Sequence, residues 1–385
     1  MPRLRTLVAL FLLALFAPTG VAQLGKNVTI PAGSEADRQL VAINAANDPA
    51  QKLQLIDQFS QAHADGDLQI VADEQYVSYY INAKQYDKAF EYGDKLFALD
   101  PDNYANAVNM VRAANEKGDT AKLFAYAEKA AGIIERFRAA PAPEATAPDN
   151  WARIKTEKLE SLKDNQDYIE QSLFRAAYGI KDPKAKAEYL QRIAKMYPDT
   201  PQAEQALTLA ASAYQQAQDR AKMQAVANSV LAKDPNNIGI LLLLADDYSE
   251  RGDQLDKAEQ CAKKATLLLD AAKKPDNLTD EQWKQQISIQ KGLALSALGQ
   301  VNIQKKQNAL AVDSLTKAAP LLKANPFIYA RNQYRLGFAY LNLKRNTEAK
   351  QAFTDAASLD TPYKGPAQQK LTELSAAKPA PKKAS

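Results

Sequence analysis

The chain holds one cysteine and one histidine in 385 residues. An internal disulfide needs two cysteines and a structural zinc site needs a set of cysteine or histidine ligands, so neither organises this fold. Glycine is scarce, at 14 residues, and runs of β-branched residues are few, whereas alanine, leucine, lysine and glutamine abound. That composition favours helix. After the N-terminus the most apolar stretch, Ile238 to Ala245, falls far short of the ~20 residues that cross a bilayer. A dominant charge is missing too. The 49 basic and 45 acidic residues leave +4, falling to +2 without Arg3 and Arg5, and the signs alternate instead of forming blocks. No nucleic-acid footprint results. No G-x-S-x-G elbow, phosphate-cradling glycine loop, H-E-x-x-H or Cys/His pair occurs. Neighbouring carboxylates such as Asp246 and Asp247 read as solvated helix faces. The expectation is a non-enzymatic chain with no cofactor and no metal.

What is present begins with Arg3 and Arg5, the apolar run Leu7 to Phe16 and the small-residue site Gly20-Val21-Ala22. This is the layout of a secretory signal peptide over residues 1–22, which places the product outside the cytoplasm, periplasmic or extracellular, with no transmembrane span after cleavage. A leader over 23–34 follows, rich in turn formers and either mobile or one short extended segment; Gly33 within it should tolerate a large side chain. The chain is too long for one compact core, so several domains or a stacked array are required. Asp48-Pro49 reads as a helix start, with Asp as N-cap and Pro at the first helical position. Paired amphipathic segments then run over 69–83 and 86–99, and over 104–116 and 120–137. The proline-rich run 140–150 separates an N-terminal half, 35–139, from a C-terminal half, 151–375. Trp151 opens a long helical stretch to about Tyr178. A short helix near 368–376 would cap the last apolar face, and the tail 376–385 reads as disordered and basic.

The most regular stretch is Tyr334 to Pro362, YRLGFAYLNLKRNTEAKQAFTDAASLDTP. Leu336, Gly337 and Tyr340 share one helix face, and Ala349, Phe353 and Ala356 share a face of the next, with a polar turn at Lys344 to Thr347 between them. Small residues at Gly337 and Ala349 permit close approach of the two backbones. The spacing resembles the tetratricopeptide (TPR) repeat, W-x2-L-G-x2-Y then A-x3-F then P, with Gln333 in place of the leading Trp. YDKAFEYGDKLFALDPDN, ending at Asn103, is similar to the second helix of such a unit, with Ala89 as the close-contact alanine. The resemblance implies an all-α solenoid, a superhelix of antiparallel helix hairpins. A second resemblance, of Ala187 to Tyr214 to the Y-P-D-S-P hairpins of bacterial envelope TPR proteins, implies a periplasmic scaffold.

The chain also repeats itself. Asp48-Pro49 recurs as Asp182-Pro183, Ser78 as Ser212, Tyr80 as Tyr214, Asp100-Pro101 as Asp234-Pro235, Asn103 as Asn237, and Gly118-Asp119 as Gly252-Asp253. Each pair is 134 residues apart without a gap over 72 residues. This is an internal duplication, and Trp151 has its counterpart at Trp283. His63 aligns with Tyr197, so it reads as helix-end packing and not as a catalyst. Cys261 lies among Ala258, Ala262 and Ala265 as a small hydrophobe.

TPR stacks bind proteins or peptides with the first helix of each hairpin. The resemblance therefore nominates Glu74, Ser78 and Asn82, Asn109, Arg112 and Glu116, Thr208, Ser212 and Gln215, Asp246, Ser249 and Glu250, and Tyr334, Phe338 and Asn342 as a partner-binding groove. Their mixed charge does not match a carboxylate clamp. The function expected is a protein-interaction scaffold, with cell-envelope assembly as its setting. The alternative is a periplasmic solute- or glycan-binding carrier or sensor lined by Tyr76, Tyr79 and Tyr80. Limited proteolysis of the exported chain should nick first between Ala139 and Asn150, because an exposed proline-rich segment is the most accessible backbone. First cuts inside the flanking hairpins would contradict that reading.

Overall fold

The computed structural model describes residues 24–376 apart from 65, 145 and 199; residues 1–22, read above as a signal peptide, and all but the first residue of the tail expected at 376–385 lie outside the described residues. Among the described residues there are eighteen helices and no strand. Several helices begin where a side chain takes one of the first free amides. Asp48 accepts from Gln51 N at 2.8 Å, Asn103 from Asn106 N at 2.9 Å, and Thr279 and Gln282 cap each other reciprocally. Pro49, Pro201 and Pro326 each occupy a first turn, where no amide partner is lost.

The chain divides into two compact units. The first runs to Ile180 and includes Arg192–Pro198. It contains α1 (Glu35–Ala45), α2 (Pro49–Ala62), α3 (Leu68–Asn82), α4 (Tyr86–Leu99), α5 (Tyr104–Lys117), α6 (Thr120–Ala139), α7 (Pro148–Ser161) and α8 (Lys163–Gly179). α3 pairs with α4 and α5 with α6, while α8 lies against both α5 and α6. The second unit holds Lys181–Gln191 and everything from Asp199. α9 (Pro183–Met196) is shared in sequence between the two. Four hairpins follow: α10 (Pro201–Gln216) with α11 (Arg220–Lys233), α12 (Ile238–Arg251) with α13 (Leu255–Ala271), α14 (Asp280–Gln304) with α15 (Asn308–Leu322), and α16 (Pro326–Asn342) with α17 (Asn346–Ala357). α18 (Lys364–Ala376) packs on α17. Within this unit α10, α12, α14 and α16 also touch one another in succession, forming an inner row.

The hairpins close at small residues. A Cβ on Gly337 would stand 2.6 Å from Phe353 Cε1, and Ala349 and Phe353 are wholly buried. Gly299 of α14 stands in the same relation to Leu315 of α15, whereas Gly93 of α4 faces Met110 of α5 in the following hairpin. The turns are equally regular. Lys84, Gln218, Lys306 and Lys344 all adopt φ between 54° and 59°, the left-handed turn that ends each first helix. In the last hairpin Lys344 N bonds Leu341 O and Arg345 N bonds Tyr340 O, both at 2.9 Å, which satisfies carbonyls the helix leaves open.

The duplication is visible in geometry. Gly118 and Gly252 both terminate helices at φ 75° and 70°. Asn103 N bonds Asp100 O, and Asn237 N bonds Asp234 O, each at 3.2 Å. Lys88 sits over the Tyr80 ring and Lys222 over the Tyr214 ring.

Several expectations change in three dimensions. The helix expected from Trp151 to Tyr178 starts earlier, at Pro148, and breaks at Leu162 into α7 and α8. Both belong to the first unit, whereas the sequence reading opens the C-terminal half at Trp151. The proline-rich loop is tied at its ends: Trp151 Nε1 donates to Ala140 O at 3.0 Å, and the indole packs edge-on to Phe137. The leader is extended and pinned, with Tyr104 N donating to Leu24 O at 3.1 Å and Lys26 N to Asp100 Oδ2 at 2.9 Å. Asp246 and Asp247 are not solvated carboxylates, because Arg331 and Arg220 bind them. Cys261 is only partly buried, packed against Ala262 and its neighbours, and burial pushes its thiol pKa up.

Gly33 has no neighbour within 4 Å of a Cβ, yet its φ is +75°, so space alone does not make it tolerant. Gly337→Leu should lower stability by about 1 to 3 kcal/mol through overpacking against Phe353, while Gly33→Leu should cost roughly 1 kcal/mol through backbone strain alone. Urea unfolding of both variants measures the difference; equal losses would mean that α16 and α17 do not meet at Gly337.

Candidate functional site

The inner row of the second unit encloses a groove of about 790 Å³. α10 supplies Thr208, Leu209, Ser212 and Gln215, α12 supplies Leu242, Leu243 and Asp246, α14 supplies Gln290 and Leu293, and α16 supplies Phe327, Ile328 and Arg331. Each helix buries its other face against its hairpin partner, which leaves these side chains for the open side. The groove is mainly apolar at its base. Leu209, Leu243, Leu293 and Ile328 are partly exposed, and Phe327 is 46% exposed.

A charge cluster forms one wall. Arg331 Nη1 reaches Asp246 Oδ2 at 2.9 Å and Arg335 Nη2 reaches Asp246 Oδ1 at 3.1 Å; Arg335 also pairs with Glu250. Between them, Ser296 of α14 accepts from Arg335 through its hydroxyl at 2.9 Å and its carbonyl at 3.2 Å. Two arginines one turn apart on α16 therefore cross over a small residue of α14 to two carboxylates one turn apart on α12. Burial opposes ionisation of Asp246, but the two guanidinium groups outweigh it and hold its carboxyl below the usual carboxylate range. Arg335 is only 4% exposed, so it depends on these partners.

Of the residues expected in the groove, Thr208, Ser212, Gln215 and Asp246 line it. Ser249 does not. It is fully buried, and its hydroxyl donates to Asp246 O at 3.0 Å. Glu250 lies on the surface as a partner of Arg335. Tyr334 and Phe338 pack with Phe353 and the capping helix, and Asn342 donates to Asn308 on the exposed hairpin turn.

In the first unit the matching face meets α8 along α5 and stays exposed along α3. Arg112 donates to Asn165 and lies over the Tyr168 ring of α8, and Glu116 accepts from Tyr86. Asn109 is partly buried on α5, Glu74 accepts from Asn103 at 3.1 Å, and Ser78 and Asn82 are exposed on α3. Tyr76 and Tyr80, nominated for a glycan site, are 5% exposed and stack with Tyr92, while Tyr79 is partly buried edge-on to Tyr80. His63 caps α2, within 2.9 Å of Gln39 Oε1 and against Phe59. No group of metal-ligating side chains occurs among the described residues.

Sequence reasoning missed the apolar floor and Arg331. The one available signal was the i, i+4 pair Arg331 and Arg335 on a helix otherwise filled with core residues.

Asp246→Ala should destabilise the second unit by about 3 kcal/mol, because it leaves a buried guanidinium underpaired. An exposed control, Glu116→Ala, should stay within about 0.5 kcal/mol. The Asp246 carboxyl is held below its unfolded value, so its contribution is complete at neutral pH and is lost below about pH 4. Chemical denaturation at pH 7 and pH 3 measures this; the gap between wild type and variant should shrink at pH 3, and a constant gap would contradict the pairing.

Residues 330–362 match the tetratricopeptide repeat family. Comparison with curated proteins gives no match. Among solved structures, a chain of the APC/C hetero-tetramer Cut9-Hcn1 is similar, at 12% identity over 88% of this chain and 62% of that one, with a TM-score of 0.45. The present chain thus spans less than two thirds of that protein's length. Yeast Tom70 gives 12% identity over 88% of this chain and 94% of that one at a TM-score of 0.31. The TPR domain of P58(IPK) gives 13% over 89% and 98% at 0.29. No described helix is long and apolar enough to cross a membrane. The hairpin of α16 and α17, at 330–362, is therefore a tetratricopeptide repeat, and it stands in a stack of paired helices.

Proposed function

We propose that this protein is a non-catalytic scaffold that binds a protein or peptide partner in the groove of its second unit. The observation that carries the reading is the groove itself: an apolar floor left partly open to solvent, walled by Arg331, Asp246 and the amide side chains Gln215 and Gln290. Concave apolar surfaces with a few placed polar groups are suited to a helix or peptide laid against them. The absence of catalytic motifs from the sequence favours binding over chemistry. Residues 1–22 support an extracytoplasmic setting, and the likeness of Ala187 to Tyr214 to envelope TPR hairpins supports a role in bacterial cell-envelope assembly. Burial of Tyr76 and Tyr80 in stacked core positions favours this scaffold over the solute- or glycan-binding alternative.

Crosslinking capture from intact cell envelopes, with crosslink sites mapped by mass spectrometry, tests the proposal. A photocrosslinker placed at Gln216, on the groove edge, should yield one or two discrete partners. Leu243→Lys should remove them while leaving the melting temperature nearly unchanged, since that side chain is only partly buried. Capture that persists in Leu243→Lys would place the partner elsewhere. No capture, together with a thermal shift by a defined solute or glycan, would replace the scaffold by the carrier.

A further inference from the structure

The duplicated corners of the two units differ in one respect. In the first, where α4 meets α5, the leader is seated. Tyr104 N, the first amide of α5, donates to Leu24 O, and the Asp100 carboxylate accepts from Lys26 N. The residue between these two hydrogen bonds is Gly25, at φ +128°, and a Cβ there would stand 2.7 Å from Asp100 Oδ2 and 3.1 Å from Asn103 Cα. The corner therefore reads a backbone through one donor and one acceptor and requires glycine between them. Asp100, Asn103 and Tyr104 are all buried at this seat.

The groups that read the backbone at that seat recur 134 residues later. Asp234 replaces Asp100, Asn237 replaces Asn103 with the same N-cap bond into its helix, and Ile238 supplies the first amide of α12. Asp234 Oδ1 accepts from Asn236 N at 2.9 Å, and its carboxylate lines the corner. Here the corner is an open cavity of about 500 Å³ lined by Pro201, Glu204, Thr208, Leu209, Asp234 and Ile238 among others. Asp234, Asn237 and Ile238 are only partly buried. Its lining carries two carboxylates and no basic side chain.

We infer that this second corner is a docking site for an extended peptide segment in which a glycine is followed by a basic residue, supplied by a partner polypeptide. The carbonyl before the glycine accepts from Ile238 N, the amide after it donates to Asp234, and the basic side chain meets the acidic lining. The leader of another copy is not the occupant, because each copy seats its own leader on its first unit. The corner shares Thr208, Leu209 and Gly239 with the groove, so one partner chain has a continuous path across both. The inference does not depend on what fills the groove.

A fluorescent peptide of sequence LGKNVTI, titrated into the full chain and followed by anisotropy, tests it. Saturable binding of one peptide per chain is expected. Ile238→Pro removes the donor at a helix position where proline is tolerated, and it should weaken binding about tenfold or more, as should Asp234→Ala and the peptide change Gly→Ala. Thermal melts establish that both variants fold. No saturation at millimolar peptide, or binding indifferent to Ile238→Pro and to the peptide's glycine, overturns the site. Self-association of the chain that Ile238→Pro abolishes would overturn the partner assignment in favour of a second copy.

Discussion

Close approach of paired helices is the constraint on which the rest of this structure depends. Where Gly337 faces Phe353 and Gly299 faces Leu315, the first helix offers no side chain and the second fills the gap. Alanines 311, 349, 352 and 356, all at or near zero exposure, line the same seams. Dispersion and burial at such seams are sensitive to a single methylene, because protein interiors are packed to crystal-like density. Once two helices are locked in this way, their outer faces are set. One face meets the next hairpin, and the other is left for solvent or a partner.

The second unit adds a polar constraint to this apolar one. Arg331 and Arg335 reach from α16 over Ser296 to Asp246 and Glu250 of α12, linking helices that are not neighbours in the row. A buried ion pair of this kind contributes little net stability compared with an apolar substitute, but it is strongly destabilised when one member is lost. Its effect here is geometric. It draws the inner faces of α12 and α16 to a definite separation around α14, and so shapes the groove whose wall it forms. Among the described residues the first unit shows no such ion-pair bridge, and there α8 meets the inner face at α5 through Asn165 and Tyr168.

The groove was legible in part. Thr208, Ser212, Gln215 and Asp246 are nominated by the resemblance to TPR hairpins, in which the first helix of each pair faces the groove. Ser249 does not reach the groove because it lies on the buried face of α12, where its hydroxyl bonds back to Asp246 O. Tyr334 and Phe338 failed because a capping helix, α18, covers the end of the stack. Leu209, Leu243, Leu293 and Phe327 escaped notice for a different reason: an apolar residue on a helix looks like core until its neighbours are placed, and only then is it seen to face an opening.

Local chemistry settled a great deal without a structure. The all-α class, the hairpin at Tyr334 to Pro362, the N-cap at Asp48 and the 134-residue duplication all rest on interactions between residues near in sequence or on direct repetition. Such features depend on capping, spacing and backbone freedom, which a short stretch of chain carries within itself. Tertiary structure alone decided three things: that α7 and α8 join the first unit, that the leader seats on one corner and not on its duplicate, and that Arg331 and Arg335 find carboxylates some 85 residues away. Each of these pairs groups far apart in the chain, and sequence spacing holds no record of which distant surfaces will meet.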